Sequence, residues 1–291
     1  MKMKEYEYHD VNFRGSIEKV TYETTNQAGE KRDKYALVYL PYGYDHNDTE
    51  KKYNILYLMH GGGGNPDAWL DCCKVKNMLD YSIDSGELAP LIVVFPSYYK
   101  EVISRTGRPQ ADQERENVRF FQYELSHELL PAVEGKYHTY ANTADYDSLK
   151  ASRTHRAFGG FSMGSCTTWF ALLENLDYFS YFLPLSGDCW IIEPMGGSSH
   201  PKETAQALHD SILKAGYGAT DFHIFSATGT KDPAYHSLTP QIEEMKHLDD
   251  LFRFSEDWSK GNLHYTVVEG LVHAYESVNL YLYNYIPYLF Q

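Results

Sequence analysis

Short apolar runs alternate along this chain with longer amphipathic stretches, and that alternation carries the first expectation about the fold. Residues 17–24 and 35–40 read as antiparallel strands joined by a polar turn at Asn26-Gln27-Ala28-Gly29. Residues 55–59 and 91–95 read as further strands, with a helix over 68–83 between them. A long helix follows from about 117 to 134, then a short strand fed by 155–159 and a helix over 167–173. Strands at 181–185, 222–225 and 265–268 alternate with helices over 204–215, 240–251 and 276–289. Short apolar strands separated by helices indicate an α/β fold: a mostly parallel central sheet, helices on both faces, and antiparallel strands at the N-terminal end. The expectation is one domain spanning residues 1–291.

Composition narrows the function classes. With 291 residues and 43% hydrophobic content the chain can bury a large core. It has no apolar run of about 18 residues, the minimum for a helical membrane span. A formal net charge of −14 argues against nucleic acid or an anionic membrane surface as a partner. The start, Met-Lys-Met-Lys-Glu-Tyr, lacks the apolar stretch of a signal peptide. As written the chain is expected to be cytoplasmic, or exported if an export signal was removed. Four cysteines, two of them the adjacent Cys72 and Cys73, give neither a disulfide framework nor a metal-ligand spacing, so buried free thiols are expected. No metal site and no cofactor is called for. The 26 tyrosines are unusual and fit either a sugar or aromatic-ligand surface or amphipathic packing.

The chemistry concentrates at Gly160-Phe161-Ser162-Met163-Gly164, a G-x-S-x-G sequence between an apolar strand and a helix. This is the context of a nucleophile elbow, in which the serine sits on a strained turn and small residues allow close strand–helix packing. The helix N-terminus then favours negative charge developing on a reacting carbonyl. The fold expectation sharpens accordingly to α/β-hydrolase.

A serine nucleophile needs a histidine downstream and a carboxylate between them in the chain. Of 13 histidines, His273 lies just past the last strand, where such sheets gather their chemistry. His264 and His223 lie in strands, and His200, His209, His236 and His247 fall in polar loops or helix surfaces. Two carboxylates compete for the acid. Asp232 follows the strand that immediately precedes the histidine's strand, and sequential strands are usually neighbours, which favours it. Asp188, in Leu185-Ser186-Gly187-Asp188, follows the strand before that. Either one is otherwise a turn aspartate bonded to its own backbone.

His60-Gly61-Gly62-Gly63-Gly64 directly follows the strand at 55–59. Its glycines let backbone N–H groups approach a ligand oxygen, which suits an oxyanion loop. The amides of Gly62 and Met163 are the expected donors. Without a following Lys-Ser/Thr a phosphate cradle is the weaker reading. His60 and Gly61 are expected to border the substrate pocket, unless the histidine only braces the loop.

With these pieces in place, the chain resembles carbohydrate esterase family 1, in particular the feruloyl esterase domains attached to bacterial xylanases. The likeness runs from about residue 35 to 290. It is carried by Val38-Tyr39-Leu40-Pro41-Tyr42-Gly43-Tyr44, Tyr57-Leu58-Met59-His60-Gly61-Gly62-Gly63, Gly86-Glu87-Leu88-Ala89-Pro90, Ala151-Ser152-Arg153-Thr154-His155-Arg156, the elbow, Pro184-Leu185-Ser186-Gly187-Asp188-Cys189-Trp190, Ala227-Thr228-Gly229-Thr230-Lys231-Asp232 and His273. The resemblance implies a serine esterase with Ser162 as nucleophile, Asp232 as triad acid, His273 as base, and Gly62 and Met163 as oxyanion donors. It implies that Trp190 packs on a phenolic ring, with Asp188, Gly61 and His60 near the substrate. The implied substrates are hydroxycinnamate esters of feruloylated arabinoxylan or its oligosaccharides. Acetylated xylan, small esters or acyl transfer are the alternatives within the same fold, and a non-catalytic carbohydrate-binding relative is the last alternative. The chain departs from the family pattern in a longer Gly/Ser-rich segment at 193–204.

Overall fold

A computed structural model describes residues 3–98 and 110–291. Eight strands form one sheet in the order β1-β2-β4-β3-β5-β6-β7-β8. They are β1 (Ser16–Thr25), β2 (Lys31–Leu40), β3 (Asn54–Met59), β4 (Leu91–Phe95), β5 (Arg156–Phe161), β6 (Tyr181–Leu185), β7 (His223–Gly229) and β8 (Leu263–Val268). The β1–β2 and β2–β4 pairs are antiparallel, and the other neighbours are parallel.

Position in the sheet explains the residue pattern of each strand. Edge strand β1 buries Val20, Tyr22 and Thr24 and exposes Thr21 and Glu23, the alternation of a one-sided strand. Central strands β4, β5 and β6 are buried throughout. On β3, Ile55, Tyr57 and Met59 face one hydrophobic core while Leu56 and Leu58 face the other. A two-sided core of this kind requires helices on both faces.

Those helices are α1 (Ala68–Asp71), α2 (Val75–Asp84), α3 (Gln110–Glu124), α4 (Leu130–Glu134), α5 (Tyr146–Ala151), α6 (Met163–Glu174), α7 (Gly196–Ser199), α8 (Pro201–Lys214), α9 (Tyr235–Lys246) and α10 (Tyr275–Tyr285). Three depart from the sequence expectation. The helix expected over 68–83 is broken at Cys72-Cys73-Lys74. At 3.6 residues per turn a straight helix would aim Trp69 and Val75 about 120° apart. The break lets both be buried, and the Cys73 thiol donates to the freed Trp69 carbonyl at 3.0 Å. The helix expected over 117–134 includes α3 from Gln110 and passes through a π-helical turn, Leu125–Leu129, where Leu130 N–H bonds back to Leu125 C=O. Pro131 stands just beyond; its missing N–H and bulky ring disfavour a regular α turn there. The last correction is α9, which begins at Tyr235 and carries Pro240 inside it instead of starting there. Its start is set by Asp232, whose carboxylate accepts the Ala234 N–H at 2.8 Å and whose carbonyl accepts that of Tyr235 at 3.0 Å.

Candidate active site

The elbow forms because three residues have no room for anything larger. A Cβ on Gly160 would lie 2.5 Å from the Gly164 backbone, and one on Gly164 would lie 2.4 Å from Met59 C=O. On the facing loop, a Cβ on Gly187 would meet Ser162 C=O at 2.7 Å. Between β5 and α6, Ser162 takes φ 57° and ψ −115°, a conformation that costs a non-glycine residue about 1–3 kcal/mol. Its N–H is pinned to Leu185 C=O at 3.0 Å, so the strained turn is held by the neighbouring strand.

The loop after β8 brings His273 over this serine. His273 Nε2 lies 2.8 Å from Ser162 Oγ, and its Nδ1 lies 2.8 Å from Asp232 Oδ1. Asp232 is buried whereas His273 stays open to solvent. Burial by itself pushes the Asp232 carboxyl up, but bonds from His273 and the Ala234 N–H outweigh it and hold the group below the usual carboxylate range. The side chain is therefore an anion at neutral pH, suited to orient and stabilise an imidazolium. The parallel pairing of β7 with β8 puts these two loops side by side.

Asp188 stands elsewhere. It is buried, its Oδ1 accepts Trp190 Nε1–H at 3.2 Å, and its Oδ2 accepts Gly197 N–H at 2.9 Å. Burial raises its pKa despite those bonds and one with Ser237. Both oxygens are committed to the pocket wall, and the histidine's partner is Asp232.

The glycine loop after β3 lies against the start of α6. A Cβ on Gly62 would sit 3.7 Å from Met163 Sδ and 3.9 Å from Met163 Cβ, so the glycine loop packs directly on the first residue of α6. Met163 is the first residue of α6, and its N–H has no acceptor within the helix. Gly63 takes φ +73°, which turns the loop back. His60 requires a correction. It is buried and absent from the pocket wall, with Nδ1 2.7 Å from Gly61 C=O and Nε2 2.9 Å from Ser97 Oγ. An imidazole this short of space braces the loop from behind and is not a substrate contact.

A cavity of about 670 Å³ opens over Ser162 and His273. Gly61, Gly62, Asp188 and Trp190 line it, as does Phe161. Trp190 is at once a pocket wall and part of a hydrophobic core, its indole fixed by Asp188. The 193–204 segment supplies Met195, exposed at the rim with φ 57°, and Gly197, the clamp on Asp188. Of the four cysteines, Cys166 and Cys189 are buried as expected. Cys73 is half-buried and Cys72 is exposed at the pocket wall, where the broken helix turns outward.

Sequence reasoning missed several pocket residues, among them Tyr275, Gln110 and Glu114. Tyr275 accepts the Gly61 N–H on its hydroxyl at 3.2 Å and packs edge-on against Phe161 and Trp69. Its place at the start of α10, two residues after His273, was a usable signal. Gln110 and Glu114 reach the pocket from the first turns of α3, and no local pattern marked them.

A mostly parallel sheet with a serine elbow after β5, an aspartate after β7 and a histidine after β8 is the arrangement of an α/β-hydrolase. Within that class, the chain belongs to the family described as "Putative esterase", which matches residues 29–289. It is 42% identical over 277 residues to endo-1,4-beta-xylanase Y of Acetivibrio thermocellus, covering 95% of this chain and 23% of that enzyme. The chain spans less than a quarter of the length of the curated relatives it matches. Among solved structures, a serine-to-alanine mutant of the feruloyl esterase module from Clostridium thermocellum, complexed with sinapinate, is 39% identical with a TM-score of 0.83, covering 100% of this chain and 93% of that one. A ferulic acid esterase of carbohydrate esterase family 1 from the anaerobic fungus Anaeromyces mucronatus has a TM-score of 0.70 at 18% identity, covering 99% and 94%, a likeness of fold alone. The resemblance read from the sequence blocks is thus borne out.

Proposed function

We propose that this protein is a serine carboxylesterase that hydrolyses feruloyl and related hydroxycinnamoyl esters of plant cell-wall xylan through an acyl-enzyme. The observation that carries the reading is the continuous line Ser162 Oγ–His273 Nε2 and His273 Nδ1–Asp232 Oδ1, both at 2.8 Å, beneath a pocket walled by Trp190. The bound sinapinate of the related module supports a hydroxycinnamoyl acyl group.

In this reaction His273 Nε2 takes the proton of Ser162 as its oxygen attacks the ester carbonyl. The carbonyl oxygen becomes an oxyanion, which accepts hydrogen bonds from the amides of Met163 and Gly62 at the positive end of α6. Collapse of the tetrahedral intermediate breaks the bond to the sugar oxygen, which leaves as an alcohol with the proton from His273. A water then enters, gives its proton to His273 and attacks the acyl-enzyme. Ser162 departs with that proton, and the hydroxycinnamic acid is released. Asp232 keeps the imidazole in the tautomer with Nδ1–H and stabilises its cation without taking the proton.

The test is a panel of methyl ferulate, methyl p-coumarate and a short acetyl ester, run on wild type and Ser162→Ala. Wild type is expected to prefer the hydroxycinnamates, and Ser162→Ala to remain folded with turnover reduced by several orders of magnitude. Near-wild-type hydrolysis by folded Ser162→Ala rejects the mechanism. Preference for the acetyl ester rejects the substrate assignment and leaves the mechanism standing.

A further inference from the structure

The triad geometry uses one oxygen of Asp232 and leaves the other over. Oδ1 accepts from His273 and from the Ala234 N–H, whereas Oδ2 is buried with no direct hydrogen-bond partner among the described residues. Ser186, just past the end of β6, has the complementary deficit: it is buried and its hydroxyl is also without a direct partner. The two side chains are near enough for the Ser186 hydroxyl to contribute to holding the Asp232 carboxyl below its usual range, after the larger effects of burial and of His273 and Ala234. The Ser186 backbone is at φ 56°, the left-handed region that a non-glycine residue enters only at a cost. Its N–H donates to Ala227 C=O at 2.9 Å, fastening it to the strand that carries Asp232. Buried polar atoms are nearly always paired, and two orphans just past the ends of paired strands answer each other's need.

We infer that Ser186 is a positioning residue whose hydroxyl donates to Asp232 Oδ2, so that the carboxylate cannot rotate and Oδ1 stays aimed at His273 Nδ1. This rests on the triad reading above. A hydroxyl suits the task because it is neutral. A lysine or arginine there would compete with the imidazolium for the charge of Asp232, whereas a hydroxyl fixes the carboxylate and leaves that charge available. Among the described residues, Tyr265 of β8 and Tyr281 of α10 feel the charge of Asp232. Burial pushes both phenols up, so they stay neutral across the working range.

Two variants test it. Ser186→Ala keeps the Cβ and the backbone strain and removes only the hydroxyl, while Ser186→Gly removes the strain as well. Both are expected to lose about tenfold in kcat/KM for methyl ferulate, the size of one hydrogen bond to a charged group. The glycine variant is expected to melt at or above the wild-type temperature. The acid limb of the pH profile of kcat/KM moves to higher pH, because a carboxylate stripped of its donor is more basic and holds the proton on the imidazole more tightly. Wild-type kcat/KM in either folded variant overturns the inference. So does a loss with the acid limb unmoved, which marks deformation of the pocket instead. Ser162→Ala, run alongside, keeps the two readings apart: inactive Ser162→Ala with fully active Ser186 variants sinks the positioning role alone, whereas active Ser162→Ala sinks the triad with it.

Discussion

Asp188 and Asp232 follow adjacent strands of the same sheet, both are buried, and both lie within reach of the catalytic cavity. Their states nevertheless diverge. Asp232 is held below the usual carboxylate range by the donors His273 and Ala234 N–H, and Asp188 is raised because burial outweighs its bonds to Gly197, Ser237 and Trp190. The balance of burial against donors decides the difference: burial wins at Asp188, and the bonds win at Asp232. One carboxylate faces an imidazole, with its Oδ1 2.8 Å from His273 Nδ1. The other faces neutral N–H and O–H donors, whose bonds favour its charge without offsetting burial. A carboxylate at a strand end is therefore chemical or architectural according to what the next strand places opposite it.

The sharpest way to break this comparison is to neutralise each carboxylate in turn. Asp232→Asn is expected to lower kcat by about four orders of magnitude while leaving the fold intact, because the amide favours the wrong imidazole tautomer. If Asp188→Asn proves the more damaging change to kcat in folded protein, the two roles are reversed.

Asp188→Ala should show the architectural role. It strips the acceptor from Trp190 Nε1–H and Gly197 N–H, both buried, and an unsatisfied buried donor costs about 1–3 kcal/mol. Chemical denaturation should record a loss of that order, with hydrolysis of a short acetyl ester changed far less than hydrolysis of methyl ferulate. Equal losses on the two esters would mean that Asp188 serves the chemistry directly.

A smaller effect is expected from the indole that Asp188 holds. Trp190→Ala should reduce kcat/KM for methyl ferulate up to about tenfold more than for the acetyl ester, since aromatic pairing contributes about 0.5–1.5 kcal/mol beyond area burial. No difference between the substrates assigns Trp190 to the core alone.

The subtlest contrast is in pH. Asp232 has a depressed pKa when folded, so its contribution to stability is complete above the ordinary carboxylate range and disappears as pH falls through its folded value. Asp188 has a raised one, so its burial penalty grows as pH rises through the ordinary range and is relieved below it. Denaturation at a series of pH values from about 7 down to about 2 should show wild type losing its advantage over Asp232→Asn on acidification. Over the same range it should gain relative to Asp188→Asn. Parallel curves for the two variants would refute the assigned environments.

The legibility of this molecule in its sequence follows the range of the interactions involved. Strands β4 and β6 were readable to the residue because each is a short apolar run ended by local breakers. The turn at 26–29 and the elbow were readable for the same reason, as their glycines and small residues act within a few positions. The break at Cys72 to Lys74, the π turn before Pro131 and the early start of α9 were not. Each is settled by a partner outside the pattern: a core that must receive both Trp69 and Val75, a proline that disfavours the preceding turn, and a carboxylate that starts a helix while facing a histidine.

The sequence by itself determined the alternation of strands and helices, the strained serine turn between them, and the chain order of serine, aspartate and histidine. All three are written in local periodicity and in residues whose backbone preferences act nearby. Only the tertiary structure decided that Asp232 and not Asp188 meets His273, that His60 braces the glycine loop from behind, and that Tyr275, Gln110 and Glu114 close the pocket. Those outcomes depend on distances of a few ångströms between segments as many as 214 residues apart, and such distances exist only once the sheet has set its strand order.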